Sequence, residues 1–182
     1  MAAWATLLLA ATLLVGCERS IEVRCATEPS EACCLLSSAE AEAPLSLVVQ
    51  EPSIVHQEHW SRCRYEAPSG EFAELDFFPE GGRHGTFAAE MRRVLETNRL
   101  ERVQRLAVPN FTATAFWVED AAFPTGRGPV LFVIDGDDFF RVAATPLGQG
   151  FPAWKRPREL ARSVLRNLAA RRQTSPAVVP PR

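Results

Sequence analysis

The residues with chemistry to offer are three histidines, a run of aspartates, a pair of spaced carboxylates and five cysteines. His56 and His59 stand in His56-Gln57-Glu58-His59, and His84 lies further on. On a helix, that i, i+3 pair could share a metal ion, for which neutral imidazole is a ligand. An envelope metal-dependent hydrolase using His56 and His59 is therefore one functional reading. The segment is not convincingly helical, however, and a solvated loop with ordinary surface histidines accounts for it. Asp135-Gly136-Asp137-Asp138, with Glu119 and Asp120, offers the oxygen ligands that calcium prefers. It lacks the spacing of a calcium loop, and Asp-Gly is sufficiently explained as turn chemistry. Glu74 and Asp76 are two apart, so on a strand they share one face, expected to be solvated. Gly81-Gly82-Arg83-His84-Gly85 precedes a helix start and could cradle an anion, but it has no P-loop lysine. No G-x-S-x-G elbow occurs. These residues assemble no catalytic set and call for no cofactor, so a non-enzymatic role is expected.

Apart from Cys17, the cysteines are Cys25, Cys33, Cys34 and Cys63. An even set of this kind in an exported chain points to disulfides. A bridge between the adjacent Cys33 and Cys34 would be strained. Two pairings remain: Cys33–Cys63 with Cys25–Cys34, or Cys34–Cys63 with Cys25–Cys33. Use of these thiols for zinc is disfavoured, because no C-x-x-C pair is present.

The elements that must position these groups can be read from periodicity. Ser37-Ser38-Ala39-Glu40 matches a capping box, and Pro44 should stop the short helix it opens. Leu45 to His59 is ambiguous, with a candidate strand around Leu47 to Val49. Trp60 to Glu66 and Glu71 to Phe78 alternate as hairpin partners around Pro68-Ser69-Gly70. Thr86 is a plausible N-cap for a helix whose apolar stripe is Phe87, Met91, Val94 and Leu95. After an unclear stretch come Val103 to Val108 and a strand over Phe111 to Val118. Ala121 to Pro129 reads as a Pro/Gly loop. Val130 to Ile134 and Phe139 to Ala144 flank the Asp-Gly turn. The last helix has Pro157 in its first turn, runs to about Arg171, and buries Leu160, Val164, Leu165 and Leu168. Gln173 to Arg182, rich in proline, is expected to be a disordered tail.

The pattern predicts an α+β domain: an antiparallel sheet with two to three helices packed on one face, stapled by disulfides. The strand aromatics Phe77, Phe78, Phe111, Phe116, Trp117, Phe132, Phe139 and Phe140 are expected to fill its core; those turned from the helices could line an apolar groove. Trp154-Lys155-Arg156-Pro157-Arg158 is expected to be a solvated helix lead-in rather than a lipid contact.

The N-terminal segment bears on address. Leu7 to Val15 is an apolar run, far shorter than the roughly 20 residues that span a bilayer. It ends in a small residue just before Cys17, the shape of a cleavable export signal. Leu14-Val15-Gly16-Cys17 resembles the lipobox of bacterial lipoproteins. That resemblance implies diacylglycerol on the Cys17 thiol and cleavage before it, with stable anchoring by two or more chains. Residues 1–16 are then a signal peptide, 17–32 a polar tether, 33–172 the domain and 173–182 the tail. The expected location is the cell envelope, at the outer face of the plasma membrane or at an outer membrane. In an organism with two membranes, Glu18 in place of the Asp that resembles an inner-membrane retention signal favours the latter. The formal net charge of -2 leaves no whole-chain footprint for nucleic acid.

Cys33-Cys34-Leu35-Leu36-Ser37, Cys63-Arg64-Tyr65, Ala115-Phe116-Trp117, the hairpin across Gly136-Asp137 and the closing helix with Leu160-Ala161 carry a second resemblance. Over roughly residues 33 to 170 the chain resembles a family of uncharacterised secreted actinobacterial lipoproteins, related in outline to the sensor domain outside some receptor kinases. The resemblance implies a Cys33–Cys63 disulfide and a helix-on-sheet fold. It also implies an extracytoplasmic binding or sensing module, without naming its ligand. An envelope protein or a small apolar ligand, the latter in a groove of strand aromatics, is the expected partner. Cys25 and Cys34 depart from that family's single bridge.

Overall fold

The structure, a computed structural model, describes Cys25 and residues 31–97, 103–123, 126–146 and 152–174. The expected export signal, Cys17, most of the expected tether and the expected tail beyond residue 174 lie outside the described residues.

Among the described residues, seven strands form one antiparallel sheet: β1 (Ser53–Gln57), β2 (Trp60–Glu66), β3 (Phe72–Phe78), β4 (Val103–Leu106), β5 (Thr114–Phe123), β6 (Gly126–Asp135) and β7 (Asp138–Ala144). Their order is β1-β2-β3-β7-β6-β5-β4, so β3 and β7 meet in the middle. Among the described residues they are accompanied by the α-helices α1 (Ser38–Leu45), α2 (Thr86–Thr97) and α3 (Lys155–Thr174). The expected α+β class is found.

Alternation decides what each face of the sheet holds. On one face Cys63, Tyr65, Ala73, Leu75, Phe77, Trp117, Leu131, Val133, Phe140 and Val142 pack with Leu45 of α1 and with Leu160, Val164, Leu165 and Leu168 of α3. On the other, Phe78, Val118, Val130, Phe132 and Phe139 pack with Phe87 and Met91 of α2. Placement on a single face therefore holds for α1 and α3, whereas α2 covers the opposite side. The reason is the second apolar set, which even-numbered β3 and odd-numbered β7 positions direct away from α3 and which also needs a cover.

The expected capping box is present. Ser37 Oγ accepts from the Glu40 amide at 3.4 Å, and Glu40 Oε2 accepts from the Ser37 amide at 3.0 Å. Pro44 is tolerated inside α1 because the helix ends one residue later, at Leu45, with Ser46 in the left-handed conformation. The strand sought at Leu47 to Val49 is instead Ser53–Gln57, and Val48 is 76 % exposed. Pro52 directly precedes this edge strand, where a missing N–H is harmless. The segment read as a Pro/Gly loop is instead a continuation of the β5–β6 ladder, with Ala121 paired to Gly128 and Phe123 to Gly126. The register shifts between Val118 and Ala121, opposite Pro129, so the proline sits where the ladder is already interrupted. Helix α3 runs to Thr174, two residues into the expected tail.

The disulfides are Cys25–Cys34 and Cys33–Cys63, one of the two pairings open from the sequence and the one containing the bridge that the resemblance implied. Cys33 and Cys63 are buried; Cys34 is half-buried.

Candidate functional site

The sequence candidates are dispersed by the fold. His56 lies on the edge strand β1, its Nδ1 3.7 Å from Glu31 Oε1. His59 sits in the β1–β2 turn, 3.8 Å from Glu58. It shares a cleft of about 550 Å³ with His84 and Glu80, lined also by Pro79, Gly81 and Thr86. His84 Nε2 is 3.1 Å from Glu80 Oε2. The His56/His59 pair is thus split between two neighbourhoods. Among the described residues, no group of three or more His, Cys, Asp or Glu side chains is placed to hold a metal ion.

The two loop candidates are filled from within the chain. Arg172, near the end of α3, donates from Nη1 to Asp135 Oδ2 at 2.7 Å and from Nη2 to Asp138 Oδ2 at 2.8 Å and the Asp135 carbonyl at 2.9 Å. A guanidinium stands where the calcium reading would put a cation. In the glycine loop, the amides of Gly82 and Arg83 both point to the Asp137 carbonyl, at 2.9 and 3.4 Å, and the His84 and Phe87 amides bond to Glu80 and Gly81 carbonyls. Four donors that could have cradled an anion are already used.

The carboxylate pair departs most from expectation. Glu74 and Asp76 are 4 % and 2 % exposed, not solvated. They do share a face, but that face also carries Arg62 and Arg64 from β2 and Arg141 from β7, directly opposite in register: Arg62↔Asp76↔Arg141 and Arg64↔Glu74. Arg62 Nε donates to Asp76 Oδ1 at 2.6 Å and its Nη2 to Oδ2 at 2.9 Å, a bidentate fork. Arg141 reaches Asp76 Oδ2 from Nε at 2.8 Å and Nη2 at 2.6 Å. Arg64 Nη1 donates to Glu74 Oε2 at 3.2 Å, and Glu90 of α2 lies 3.5 Å from Arg141. Aromatic rings flank the network. The guanidinium of Arg62 lies 5.5 Å from the Trp60 ring centroid, that of Arg141 5.3 Å from Phe78, and that of Arg64 4.1 Å from Phe72. Burial, then the neighbouring Asp76, pushes the Glu74 carboxyl above its ordinary value. Chemically, the arrangement offers a neutralised ionic ladder rather than a free acid or base.

Sequence reasoning missed Arg62 and Arg141. The available signal was alternation: in the hairpin, basic even positions on β2 faced acidic even positions on β3.

A second polar cluster joins α1 to α3. Burial pushes the Glu40 carboxyl up, but hydrogen bonds from the Ser37 amide, Arg166, the Ser37 hydroxyl and Asn167 outweigh it and hold the carboxyl low. Arg166 Nη2 and Asn167 Nδ2 reach Glu40 Oε1 at 2.9 and 3.0 Å. Arg156 is not the solvated lead-in expected of it. It is buried and donates to the Pro44, Leu45 and Thr145 carbonyls at 2.8 to 2.9 Å, besides Glu71. Arg158 stacks 4.3 Å above Trp154. Tyr65, whose hydroxyl donates to the Leu36 carbonyl at 2.6 Å, has its pKa pushed up to about 12 by burial. The strand aromatics go to the two cores: Phe77, Trp117 and Phe140 to one, Phe78, Phe132 and Phe139 to the other.

Compared with protein-family models, curated proteins and solved structures, the chain finds no match in any of the three. Among the described residues no helix is long and apolar enough to cross a membrane.

Proposed function

We propose that this chain is a lipoprotein of the cell envelope, anchored through Cys17, whose disulfide-stapled domain serves outside the cytoplasm as a non-enzymatic binding or interaction module. The observation that carries this reading is cysteine pairing. Of five cysteines, four are used in two disulfides, leaving Cys17 as the remaining thiol, at the end of an export-like apolar run. Paired cysteines fit an oxidising compartment. The candidate chemistry argues in the same direction: the aspartate turn, the glycine loop and the buried carboxylates all spend their charges or donors on the domain's own groups. Such a surface suits recognition better than turnover.

The test is the intact mass of the mature protein purified from membranes, with detergent-phase partitioning. The expected species begins at Cys17 and carries diacylglycerol. An unmodified Cys17, or cleavage elsewhere, overturns the anchor.

A further inference from the structure

The outer strands of the sheet are β1 and β4. Glu58 and His59 make a two-residue turn between β1 and β2, so the pair that closes it, Gln57 and Trp60, exchanges both of its backbone hydrogen bonds. Alternation along the unbroken register aims the N–H and C=O groups of Ser53, Val55 and Gln57 at β2, and those of Ile54 and His56 outward. Among the described residues nothing bonds to these outward backbone groups. Proteins blunt such an edge with charge, a bulge, an internal proline or a cover. Strand β1 has none of these. Ser53–Gln57 holds no Lys, Arg, Asp or Glu, its pairing to β2 has no register shift, Pro52 stands before it, and Ser53, Val55, His56 and Gln57 are exposed. The other edge, β4, carries the exposed Arg105.

The strand that fits this edge is a second copy of β1, and the sequence selects the register. Two copies related by a two-fold axis can bring their outward groups together centred on Ile54, Val55 or His56. Centring on Ile54 sets Pro52, which has no N–H, against His56. Centring on His56 sets imidazole against imidazole and Ile54 against the charged Glu58. Centring on Val55 avoids both faults. Ile54 then exchanges hydrogen bonds with His56 of the second copy, and His56 with its Ile54. Val55, 40 % exposed in the single chain, meets Val55 of the second copy as the close pair between those two rungs. Ser53 stands opposite Gln57, a hydroxyl beside an amide, and no charges oppose one another.

We propose that two copies of this chain associate edge to edge through Ser53–Gln57, antiparallel about a two-fold axis at Val55, joining their sheets into one. This gives the interaction module proposed above a partner, another copy of itself, and it holds with or without lipid on Cys17. Five residues a side fall short of the roughly 20–30 a side of a stable interface, so the pairing is transient and is read by trapping it.

The experiment mixes equal amounts of two full-length variants, Val55→Glu and Val55→Lys, treats them with a water-soluble carbodiimide and maps the peptides by mass spectrometry. The expected product is an amide between the two substituted side chains, a bond that can form only between molecules. The background is low because Lys155 is the chain's own lysine. Ser53→Lys or Gln57→Lys in place of Val55→Lys should lower the yield at least about threefold, since those positions lie diagonally at roughly 7–8 Å rather than directly opposite. His56→Pro added to both chains removes an outward N–H and no bond to β2, and should abolish the product. The two disulfides, found in the same digest, report that each variant is folded. If either position-55 variant misfolds, Ser53→Glu mixed with Gln57→Lys, directly opposed across the copies, should give the same product. Absence of the amide in folded protein, a yield indifferent to His56→Pro, a higher yield in the diagonal pairs, or linkage to Lys155 alone overturns the pairing. None of these results touches the anchor, which the intact mass of Cys17 decides separately.

Discussion

Asp76 and Arg141 face each other across the central β3–β7 pair, and two guanidinium nitrogens of Arg141 converge on one oxygen of Asp76 at 2.6 and 2.8 Å. Arg62 claims the same carboxylate from β2. One buried anion thus ties together three consecutive strands of the sheet. The two halves of the chain meet at this point, since β3 belongs to the first and β7 closes the second.

The cost of breaking that rung is the first prediction. Asp76→Asn keeps the volume but removes the carboxylate charge that two buried guanidinium groups share, and should destabilise the domain by about 3–5 kcal/mol. Replacing all three residues by apolar ones of similar size (Arg62→Met, Asp76→Leu, Arg141→Met) should cost far less than the single change. Urea unfolding of both variants checks this. A triple variant as unstable as the single one would mean the ladder contributes net stability.

The disulfides should differ in reactivity and weight. Cys33–Cys63 is buried and spans 30 residues; Cys25–Cys34 spans 9 and ends at half-buried Cys34. Under mild dithiothreitol, alkylation mapping should find Cys25 and Cys34 labelled first. Loop-closure entropy gives about 3.5 kcal/mol for the longer bridge and about 2.5 kcal/mol for the shorter, so the Cys33→Ser/Cys63→Ser variant should be the less stable.

Glu40 and Glu74 should titrate on opposite sides of the ordinary carboxylate value of 4.5. A lowered folded-state pKa means that the ionised form stabilises the fold. The Glu40 contribution is therefore complete above about pH 4.5 and is lost as pH falls through its folded value. Glu40→Gln should cost about 1–2 kcal/mol at pH 7 and little in acid. For Glu74 the sign reverses. A raised pKa means that protonation stabilises the fold, a contribution present below pH 4.5 and lost as pH rises through the folded value. Glu74→Gln should be close to neutral at pH 7. Carbon-detected NMR titration of the two carboxyls, with urea unfolding at both pH values, tests the pair.

Arg172 should behave as a tie between α3 and the β6–β7 turn. Because it is partly exposed, Arg172→Ala should cost only about 0.5–1 kcal/mol in thermal unfolding. Millimolar calcium should leave the melting temperature of the unaltered protein unchanged. A calcium-dependent rise would show that the cation displaces the guanidinium from Asp135 and Asp138.

Much of the fold follows from features within a few residues of one another. The Ser37–Glu40 box, the alternation of β2, β3 and β7, the Asp-Gly turn and the apolar stripe of α3 are local patterns, and each appears where the sequence puts it. The Pro129 region was misread because a ladder's continuation depends on the partner strand, which proline content alone does not reveal.

What sequence determined by itself was therefore the type of most elements, the α+β class and an even set of cysteines beside Cys17. The tertiary structure decided the disulfide pairing, the second face covered by α2, and the fate of the charged residues. Hydropathy reads Glu74, Asp76, Arg62 and Arg141 as solvent-facing because each alone is costly to bury. Cross-strand register, a non-local property, puts the opposite charges within bonding distance and lets them be buried together.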